Sequence, residues 1–576
     1  MQALEAADTE PEGDVLDRAY LQSVELFVGT SQPDEPITYK QALDAADAEQ
    51  WNAAMNEELA SLAEMGTWET GPLPEDRKAI SCKWVYRIKR DADGNPTRYK
   101  ARLVARGFTQ VYSLDYDETY APVTRLETIR LLLGIACEKN WEIRQIDVKS
   151  AYLYGDLDEE IYMIPPPGYE VPNGHVLHLR KALYGLKQAG RQWYKTLRDE
   201  LKKYGLVQIV NDPHTFIVRR MFNHKLCTLI VPVYVDDLLP MGDKPLVDNF
   251  EIHLPGSFNV SASGNATFFL GLRIERTREE DKMALRIDQA AFARTILRRF
   301  GYENKPEAFS PLSSVETLVP NPAPPEDCNL ANRSRYQSMI GSLMYLMLGS
   351  RPDLAYSIGK LARFSSNPST QHMHAIDRVL RYLKAYPDKY LEWIPGGTVL
   401  PDGFVDADFA SDKSDRKSTT GYVFYLNGTL FSWSSKKQST VATSTMEAEY
   451  IALFHASQQA AWIWQFYKQI GLPLTSPIEI RCDSEAAINV AKAEESHKAS
   501  KHLDVKLHSI RERIEHGIIS VLRVPTKENV ADMFTKSLPP DTFRRHSSAL
   551  GLEPDFDDPE EEEVQALLTP PEDENL

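Results

Sequence analysis

Several features that would place a protein in a specialised class are missing from this 576-residue sequence. Its five cysteines are scattered and form no Cys-x-x-Cys pair, so we expect reduced thiols in an intracellular protein and no structural zinc site. No run approaches the roughly 18 consecutive apolar residues of a membrane span. The acidic N-terminus lacks the apolar segment of a secretory signal.

Negative charge is abundant, but it is unevenly distributed along the chain. The net charge is −18, of which residues 1–40 carry −7 and residues 553–576 carry −11, so the residues between them balance to zero. We therefore predict disordered acidic tails at residues 1–36 and 541–576. Because the neutral body can hold basic grooves beside acidic sites, net charge does not exclude a nucleic-acid partner.

The neutral body contains mixed helix and strand patterns. Residues 83–108 alternate apolar and basic residues on either side of Asp93-Gly94, which predicts a hairpin with one basic face. A proline-rich stretch at residues 319–329 predicts a linker. From residue 402 the order strand, hairpin, long helix, strand, helix and strand predicts an α/β domain of roughly 140 residues. The patterns together indicate a multidomain α+β protein.

An unusual acidic pair interrupts the apolar run "LIVPVYVDDLLPMG" at residues 229–242. Two carboxylates about 4 Å apart repel by roughly 4 kcal/mol at an effective dielectric constant of about 20. A turn open to water removes most of this repulsion, and for an isolated Asp-Asp pair that is the better interpretation. A bound divalent cation instead reverses its sign. Asp147 ends another apolar strand, so it can join Asp236 and Asp237 at one sheet edge and hold Mg²⁺.

A second group of acids lies in the predicted C-terminal α/β domain. It consists of Asp406, Glu447, Asp483 and Asp532, spaced by 41, 36 and 49 residues. Four acids on such a scaffold suit a two-metal site with water as the nucleophile. Each acid alone would be interpreted as a helix cap or a surface charge. The neighbouring Glu449 and Asp408 are assigned to surface or supporting roles.

Longer motifs carry a family resemblance. "QIDVKSAYLYGDLDEEIYMIPPPGY", "LYGLKQAGRQWY" and "YVDDLL" resemble polymerase motifs of reverse transcriptases from copia-type LTR retrotransposons. "RYKARLVARGFTQ" and "IGSLMYLMLGSRPDLAYSIGKLARFSSNP" resemble the same family, and the similarity runs in order from about residue 37 to residue 540. "VDADFASDKSDRKSTTGYVFYL", "STMEAEYIAL", "IRCDSEAAI" and "NVADMFTK" resemble the ribonuclease H (RNase H) domain that follows these polymerases. The sequence is thus similar to the reverse transcriptase and RNase H portion of a copia-type Pol polyprotein.

The resemblance implies an architecture and an activity. A right-hand polymerase would occupy residues 37–255 (fingers and palm) and residues 256–398 (thumb and connection), followed by an RNase H-like α/β domain at residues 399–540. The implied activity is RNA-directed DNA polymerase with RNase H, which copies retrotransposon RNA into DNA and degrades the RNA of the hybrid. The implied partners are an RNA template, a DNA primer, an RNA–DNA hybrid and dNTPs, with no membrane. Integrase and capsid proteins of the same element are further candidate partners. The implied locations are the cytoplasm, in a virus-like particle, and the nucleus.

The resemblance also assigns roles to residues. Two Mg²⁺ ions per site, with Mn²⁺ as an alternative, would be held by Asp147, Asp236 and Asp237 in the polymerase and by Asp406, Glu447, Asp483 and Asp532 in the RNase H domain. The remaining implied contacts are Tyr152 under the incoming sugar, Gln188 at the nucleotide or template, Lys100 and Arg102 at the triphosphate, and Phe269, Leu270 and Gly271 at the primer end. Tyr152 could instead be an ordinary core tyrosine, and Gln188 a helix surface amide.

Three departures from the family pattern support a second hypothesis. Gly190 stands where the family usually has proline, Tyr154 where it usually has asparagine, and Pro240 replaces a strand apolar residue just after the acidic pair. Proline removes a ladder donor and belongs at a sheet edge or bulge. The protease and integrase regions that family members carry upstream are missing from the sequence. The alternative is therefore a truncated, decayed or co-opted relic that folds and binds nucleic acid without activity.

Overall fold

The computed structural model describes residues 35–90, 96–113, 115–119, 124–279, 282–315, 317–325, 329–396, 399–493 and 501–553. The helices are α1 (Tyr39–Asp44), α2 (Ala48–Glu64), α3 (Leu126–Lys139), α4 (Ala189–Tyr204), α5 (Lys244–His253), α6 (Ala290–Phe300), α7 (Leu330–Gly349), α8 (Ala355–Ala362), α9 (Thr370–Ala385), α10 (Thr445–Gln469), α11 (Glu485–Lys492), α12 (Lys501–Glu515) and α13 (Pro540–Ser548). Within these described ranges, no helix combines the length and the apolar composition needed to cross a bilayer.

The strands show the same mixture along the chain. They are β1 (Trp68–Pro72), β2 (Ala79–Ile80), β3 (Cys82–Arg90), β4 (Pro96–Ala105), β5 (Glu142–Val148), β6 (Asp156–Met163), β7 (His175–Lys181), β8 (Val207–Ile209), β9 (Asp212–Phe222), β10 (Lys225–Tyr234), β11 (Asp237–Leu238), β12 (Met241–Gly242), β13 (Val260–Asn265), β14 (Phe268–Phe269), β15 (Leu272–Glu279), β16 (Lys282–Asp288), β17 (Tyr390–Trp393), β18 (Asp402–Asp408), β19 (Thr419–Leu426), β20 (Thr429–Lys437), β21 (Ile478–Cys482), β22 (Ile519–Arg523) and β23 (Leu552–Glu553). Mixed helices and sheets confirm the α+β class.

The chain divides into two compact units that differ from the predicted domain boundaries. Within the described residues, the first unit contains residues 35–124 and 142–265, and the second contains residues 125–141 and 266–553. Helix α3 belongs to the second unit because its Arg130 side chain, buried there, donates to the carbonyls of Phe431 (2.7 Å) and Gly349 (2.9 Å). Residues 256–398 and 399–540 are not separated into different units.

The first unit is built on a sheet with the strand order β11-β5-β12-β10-β9-β8, to which β13 adds by pairing with β5. The apolar side chains of β5 and β10, such as Ile146 and Val231, are buried with Leu197 of α4 and Phe250 of α5. A four-stranded sheet, β1-β7-β6-β2, and the β3–β4 hairpin lie in the same unit. The hairpin buries Trp84 and Leu103 in one core cluster with Trp51 of α2. This core fixes which face of the hairpin carries its basic residues.

The second unit contains two five-stranded sheets, β14-β15-β16-β17-β23 and β20-β19-β18-β21-β22. In the latter, β18, β19 and β20 are antiparallel, whereas β21 and β22 run parallel to β18. Helix α10 buries one side against this sheet, through residues such as Ala448 and Ala452. This order confirms the succession of strands and helices predicted from residue 402 onward.

The predicted tail boundaries are wrong at both ends. Helix α13 and strand β23 lie within the predicted tail 541–576, and Leu552 is buried opposite Leu391 of β17. Glu35, within the predicted tail 1–36, is also buried and accepts a hydrogen bond from the Ile88 N–H (2.9 Å). Apolar burial and a paired carboxylate therefore order these segments. The rest of both predicted tails lies outside the described residues.

Candidate active sites

The first acidic set lies where β5 meets the turn between β10 and β11. Asp147 near the end of β5 is the Cα partner of Asp237 on β11. The Val148 N–H donates to the Asp236 carbonyl (2.9 Å), which fixes the turn beside β5. Val235 in this turn has a φ of 55°, a left-handed conformation that β-branched residues rarely adopt. The structure thus brings the three predicted carboxylates to one sheet edge.

The carboxylates of this set repel one another in a partly buried setting. Burial, and then the charge of Asp236, raises the pKa of Asp237 to about 6, although a hydrogen bond from Gln145 opposes the rise. Burial also raises the pKa of Asp236, and the Asp147 charge adds to that rise, whereas a backbone hydrogen bond and the nearby Arg102 oppose it. A cation placed among these carboxylates would relieve their repulsion.

The donor chemistry fits a hard divalent ion, because all three side chains offer carboxylate oxygens. The Ser261 hydroxyl donates to Asp147 (3.3 Å) and the Gln145 amide donates to Asp237 (3.4 Å). Both bonds are long, so they hold the carboxylates weakly. In the part of the chain that is described, however, this set does not gather its oxygens within 4.8 Å of one another, as a different group does. Metal binding would therefore turn these side chains inward.

Aromatic and cationic side chains flank the first acidic set. The Arg102 guanidinium lies 4.6 Å from the ring centroid of Tyr184, and the Tyr152 ring meets Tyr184 edge-on at 4.7 Å. Burial raises the pKa of the Tyr184 hydroxyl, an effect that Arg102 opposes and the Asp236 charge increases. Tyr184 therefore links the predicted Arg102 and Tyr152 to the acids. The sequence interpretation missed this residue.

A signal for Tyr184 was available in the glycine that follows it. Gly185 has a φ of 90°, and a Cβ atom there would lie 2.1 Å from the Ala105 carbonyl oxygen. Only glycine allows this close approach of the "LYGLKQ" loop to β4. The Ala105 N–H also donates to the Tyr184 carbonyl (2.8 Å), so the loop and the basic hairpin are held together.

The β3–β4 register produces the predicted basic face. Arg87 pairs with Lys100 and Val85 pairs with Arg102, so these side chains share one face, opposite to the buried Ala101. Both Lys100 and Arg102 lower the pKa of Asp236, which places their charges near the acids. The face also continues away from the acids, where Glu35 binds Arg87 (2.5 Å). Lys89 and Arg90 belong to β3, but their side chains lie outside what is described.

The structure corrects the predicted role of Gln188. Its amide is neither on the helix surface nor available to a ligand. Its side chain is fully buried. Its amide donates to the Asp115 carbonyl (2.7 Å) and to Glu159 (3.1 Å), and its oxygen accepts from Gln110 (3.1 Å). Because the amide is already satisfied within the protein, Gln188 supports the loop before α4 rather than reaching a nucleotide.

Phe269, Leu270 and Gly271 form a tight turn between β14 and β15 in the second unit. Leu270 and Gly271 have φ values of 50° and 75°. The Tyr345 hydroxyl donates to the Leu270 carbonyl (3.1 Å), and a Cβ atom at position 271 would lie 1.6 Å from that hydroxyl oxygen. Phe269 is buried, so its side chain is not available to a ligand. The role of this turn at a primer end stays a prediction.

The second acidic set lies at the ends of β18 and β21. Asp406 on β18 is buried and accepts a hydrogen bond from the Thr535 hydroxyl. Asp532 lies in a short 3₁₀ helix (Val530–Phe534), next to Asp406. The Lys536 ammonium is 2.8 Å from Asp532 Oδ1 and 3.8 Å from Asp406 Oδ2. Asp483 follows β21, the parallel neighbour of β18.

The prediction that Glu447 completes this set is not what the structure shows. The Glu447 carboxylate accepts from the Thr443 N–H (2.7 Å) and the Thr443 hydroxyl (2.5 Å), and the Glu447 N–H donates to Ser444 Oγ (3.1 Å). Ser444 thus caps α10, and the Glu447 carboxylate turns back to hold Thr443, the residue before that cap. Glu449, which we assigned to a surface or supporting role, is only 5% exposed and lies among the acids instead.

The electrostatics of Glu449 identify it as a member of the set. Burial, and then the charges of Asp406 and Asp483, raises its pKa to about 9. Burial likewise raises the pKa of Asp406 to about 7, against the opposing charge of Lys536. Glu449 Oε2 is buried without a hydrogen-bond partner. An unpartnered buried carboxylate oxygen beside other acids fits a divalent ion.

One further side chain joins this group. Glu449, Cys482 and Asp483 bring candidate ligand atoms within 4.8 Å of one another. Cys482 is fully buried, and burial raises the pKa of its thiol. The carboxylates are therefore the donors suited to a hard ion, and the thiol stays protonated.

The family departures are accommodated locally. Pro240 is buried between β11 and β12, and the pairing of these strands with β5 has the same register on both sides of it. Its carbonyl accepts from the Arg144 N–H (2.9 Å). The Tyr154 hydroxyl accepts from the Asn259 N–H (2.7 Å), and its ring packs edge-on against Phe258. Gly190 lies in the first turn of α4.

Sequence comparisons place these sites in a family context. Residues 65–314 match the model of the reverse transcriptase (RNA-dependent DNA polymerase) family. The chain is 38% identical to the retrovirus-related Pol polyprotein from transposon TNT 1-94 of Nicotiana tabacum, over 91% of this chain and 40% of that protein. It is 35% identical to the Pol polyprotein from transposon RE1 of Arabidopsis thaliana, over 92% of this chain and 35% of that protein. The chain thus spans about two-fifths or less of these relatives.

Structural comparisons give weaker similarities. The foamy viral protease-reverse transcriptase in complex with RNA/DNA hybrid matches with a TM-score of 0.42 and 13% identity, over 86% of this chain and 56% of that chain. LC11-RNase H1 in complex with RNA/DNA hybrid matches with a TM-score of 0.20 and 19% identity, over 23% of this chain and 93% of that chain. The sequence comparisons thus show that residues 65–314 match a reverse transcriptase domain and that about nine-tenths of the chain is similar to part of the Pol polyproteins of these plant transposons.

Proposed function

We propose that this chain is an RNA-directed DNA polymerase with an attached RNase H activity. The observation that carries the polymerase proposal is the pairing of Asp147 with Asp237 beside Asp236, with Arg102 near the same carboxylates. The nuclease proposal rests on Asp406, Glu449, Asp483 and Asp532, whose charges act on one another around β18 and β21. Both sets have the oxygen donors that Mg²⁺ prefers, with Mn²⁺ as an alternative ion.

In the polymerase, each residue near the acids has a distinct task. Either acidic set would hold divalent ions through its carboxylates, and these ions would supply activation of the attacking oxygen and neutralisation of the charge on the leaving group. Lys100 and Arg102 attract the triphosphate, and the planar fork of Arg102 suits two phosphate oxygens. Tyr152 lies under the incoming sugar, where its ring clashes with a 2′-hydroxyl. Tyr184 holds Arg102 and Tyr152 in place from the buried side.

In the nuclease, Asp406, Glu449, Asp483 and Asp532 position the ions and the attacking water. Glu449, buried and with one unpartnered oxygen, has the donor that is least satisfied by the protein itself. The substrate is the RNA strand of an RNA–DNA hybrid, which is distinguished from DNA by its 2′-hydroxyl groups. RNA template, DNA primer and dNTPs complete the proposed set of ligands.

Primer extension on poly(rA)/oligo(dT) with Mg²⁺ tests the polymerase proposal. We expect dNTP incorporation by the wild-type chain and at least about a hundredfold loss in Asp236→Asn, by analogy with the loss of one preorganised group that stabilises a transition state. The matched control is Asp199→Asn, which changes an exposed aspartate of α4 that pairs with the neighbouring Arg198. It should extend primers at the wild-type rate.

Hybrid cleavage tests the nuclease proposal separately. We expect Asp483→Asn to stop cleavage of an RNA–DNA hybrid without affecting primer extension. The control is Asp541→Asn, an exposed position in the first turn of α13. Cleavage without dNTP incorporation would overturn the polymerase proposal alone. Failure of the wild-type chain in both assays would favour the relic hypothesis.

The cellular setting is a separate proposal. We propose that the chain acts in the cytoplasm, in a virus-like particle with the capsid and integrase proteins of the same element, and later in the nucleus. Fractionation of cells that express the element, with detection of the chain beside capsid protein, tests this proposal. Recovery only in fractions without capsid protein would overturn it.

A further inference from the structure

Lys536 is a cation inside the second acidic set. Its ammonium lies 2.8 Å from Asp532 Oδ1 and 3.8 Å from Asp406 Oδ2. Asp532 and Asp406 are 7% and 3% exposed, so little water screens these contacts. The ammonium thus neutralises part of the charge that a divalent ion would neutralise at the same oxygens.

A second carboxylate, that of Asp408, could accept the Lys536 ammonium. The Lys536 side chain is 36% exposed, and its four-carbon stem is flexible. Asp408 lies two residues after Asp406 on β18, so both carboxylates project from the same face of the sheet. Burial raises the pKa of Asp408, and a hydrogen bond with Ser411 and then the nearby charge of Lys536 oppose that rise. Asp408 is therefore an acceptor at the border of the set.

We propose that Lys536 is an internal counter-ion that holds Asp532 and Asp406 without metal and transfers to Asp408 when a divalent ion binds. The inference rests on the proposed nuclease site and deepens it. Lys536 is a positioning residue: it preserves the arrangement of the acids and competes with the ion for their oxygens. Asp408 favours metal binding because it receives the displaced ammonium.

Mn²⁺ binding measured by electron paramagnetic resonance tests this exchange. The full chain carries Asp236→Asn and Asp237→Asn as a background, so that the second set is the proposed high-affinity site. We expect Lys536→Met to lower the half-saturating Mn²⁺ concentration by about tenfold, because a competing charge at about 3–4 Å is removed. Lys527→Met removes the same charge from an exposed position. It should change the half-saturating Mn²⁺ concentration by less than about twofold.

A double-mutant cycle tests the role of Asp408. Asp408→Asn should raise the half-saturating Mn²⁺ concentration several-fold when Lys536 is present. In the Lys536→Met chain the same substitution should have almost no effect, because no ammonium needs an acceptor. An equal effect in both chains would show that Asp408 acts only as a nearby charge and would overturn the transfer. Where Lys536→Met does not fold, Lys536→Gln replaces it.

The outcomes separate this inference from the nuclease proposal. Absence of saturable Mn²⁺ binding in the background chain would overturn the proposed metal site, and this inference with it. Saturable binding with an unchanged or higher midpoint in Lys536→Met would overturn this inference alone. Hybrid cleavage by a chain that retains Asp236 and Asp237 is scored independently, so loss of activity cannot be mistaken for loss of ion competition.

Discussion

Substitutions of two glutamates at the start of α10 should have different effects, one on protein stability and the other on cleavage of an RNA–DNA hybrid. Glu447 accepts two hydrogen bonds from Thr443 at the helix N-terminus, whereas Glu449 lies beside Asp406 and Asp483 with one unpartnered oxygen. We expect Glu449→Gln to stop cleavage of an RNA–DNA hybrid. We expect Glu447→Ala to retain the chemistry and to destabilise the protein.

The size of the Glu447 effect follows from its contacts. Loss of the two hydrogen bonds at a helix cap removes about 1–2 kcal/mol. Loss of a negative charge in the first turn of the helix removes about 0.3–1 kcal/mol more. The free energy of unfolding should therefore fall by about 2 kcal/mol in Glu447→Ala.

Glu449→Gln should raise the free energy of unfolding, whereas Glu447→Ala lowers it, and the size of the increase depends on pH. The unfolded chain ionises this group near its ordinary pKa of 4.5, but burial beside Asp406 and Asp483 raises the folded-state pKa to about 9. Between these values the folded state keeps a proton that the unfolded state has lost. Stability therefore falls as pH rises across this window, by up to about 1.4 kcal/mol per pH unit. Glu449→Gln removes this contribution, leaves the smaller one of Asp406 at lower pH, and should be more stable than the wild type at about pH 8.5.

Urea denaturation in EDTA, followed by tryptophan fluorescence at about pH 5.5 and about pH 8.5, measures both effects. Hybrid cleavage in Mg²⁺ is measured on the same preparations. Cleavage at the wild-type rate by Glu449→Gln, or an unchanged pH slope in that variant, would refute the placement of Glu449 in the site. Loss of cleavage in Glu447→Ala without loss of stability would restore the sequence-based assignment.

Four further outcomes test the first unit. Arg102→Ala should raise the dNTP concentration for half-maximal primer extension by about tenfold, because the phosphate fork is lost and Tyr184 loses its cation contact. Tyr152→Val should raise ribonucleotide incorporation relative to dNTPs by at least about tenfold in single-nucleotide extension, since the clash with the 2′-hydroxyl is removed. Primer extension at limiting Mg²⁺ should fall as pH drops through about 6, where Asp237 takes up a proton, and excess Mg²⁺ should move the midpoint to lower pH. Gln188→Leu should lower the free energy of unfolding by about 1–3 kcal/mol in urea denaturation, because buried partners lose their hydrogen bonds.

Local patterns predicted the elements that present the sites. Alternation around Asp93-Gly94 predicted the β3–β4 hairpin and its basic face, and the apolar strands ending in Asp147 and Asp236 predicted a shared sheet edge. These features depend on period-two burial and on turn chemistry, which the sequence carries directly. The residues of the hairpin turn, 91–95, lie outside the described ranges.

Predictions that depended on distant packing were less accurate. The apolar character of α3 indicates burial, but it cannot show that Arg130 meets the carbonyls of Phe431 and Gly349, some 300 and 220 residues away. Gln188 sits in a motif, and its partner Gln110 lies 78 residues earlier in the chain. A buried amide and a ligand-binding amide look the same in one sequence. The distinction appears only when the partners are in place.

The wrong assignment of Glu447, in place of Glu449, to the second acidic set has a local explanation. Ser444 followed three residues later by Glu447 is the pattern of a capping box, in which the glutamate turns back toward the helix N-terminus. Glu449, two residues further along a helix, points to a different face. The sequence therefore contained a signal against Glu447, although only the packing of α10 on β18 shows which face meets Asp406.

The family departures change little in the acidic turn. Pro240 lacks an N–H, yet the strand keeps its register with β5 on both sides, and its carbonyl still accepts from Arg144. Because the register is unchanged, Asp237 remains opposite Asp147. Tyr154 is likewise accommodated by a hydrogen bond from the Asn259 N–H. The departures remove no carboxylate and no cation from the first acidic set, so they give no structural reason for a loss of its chemistry.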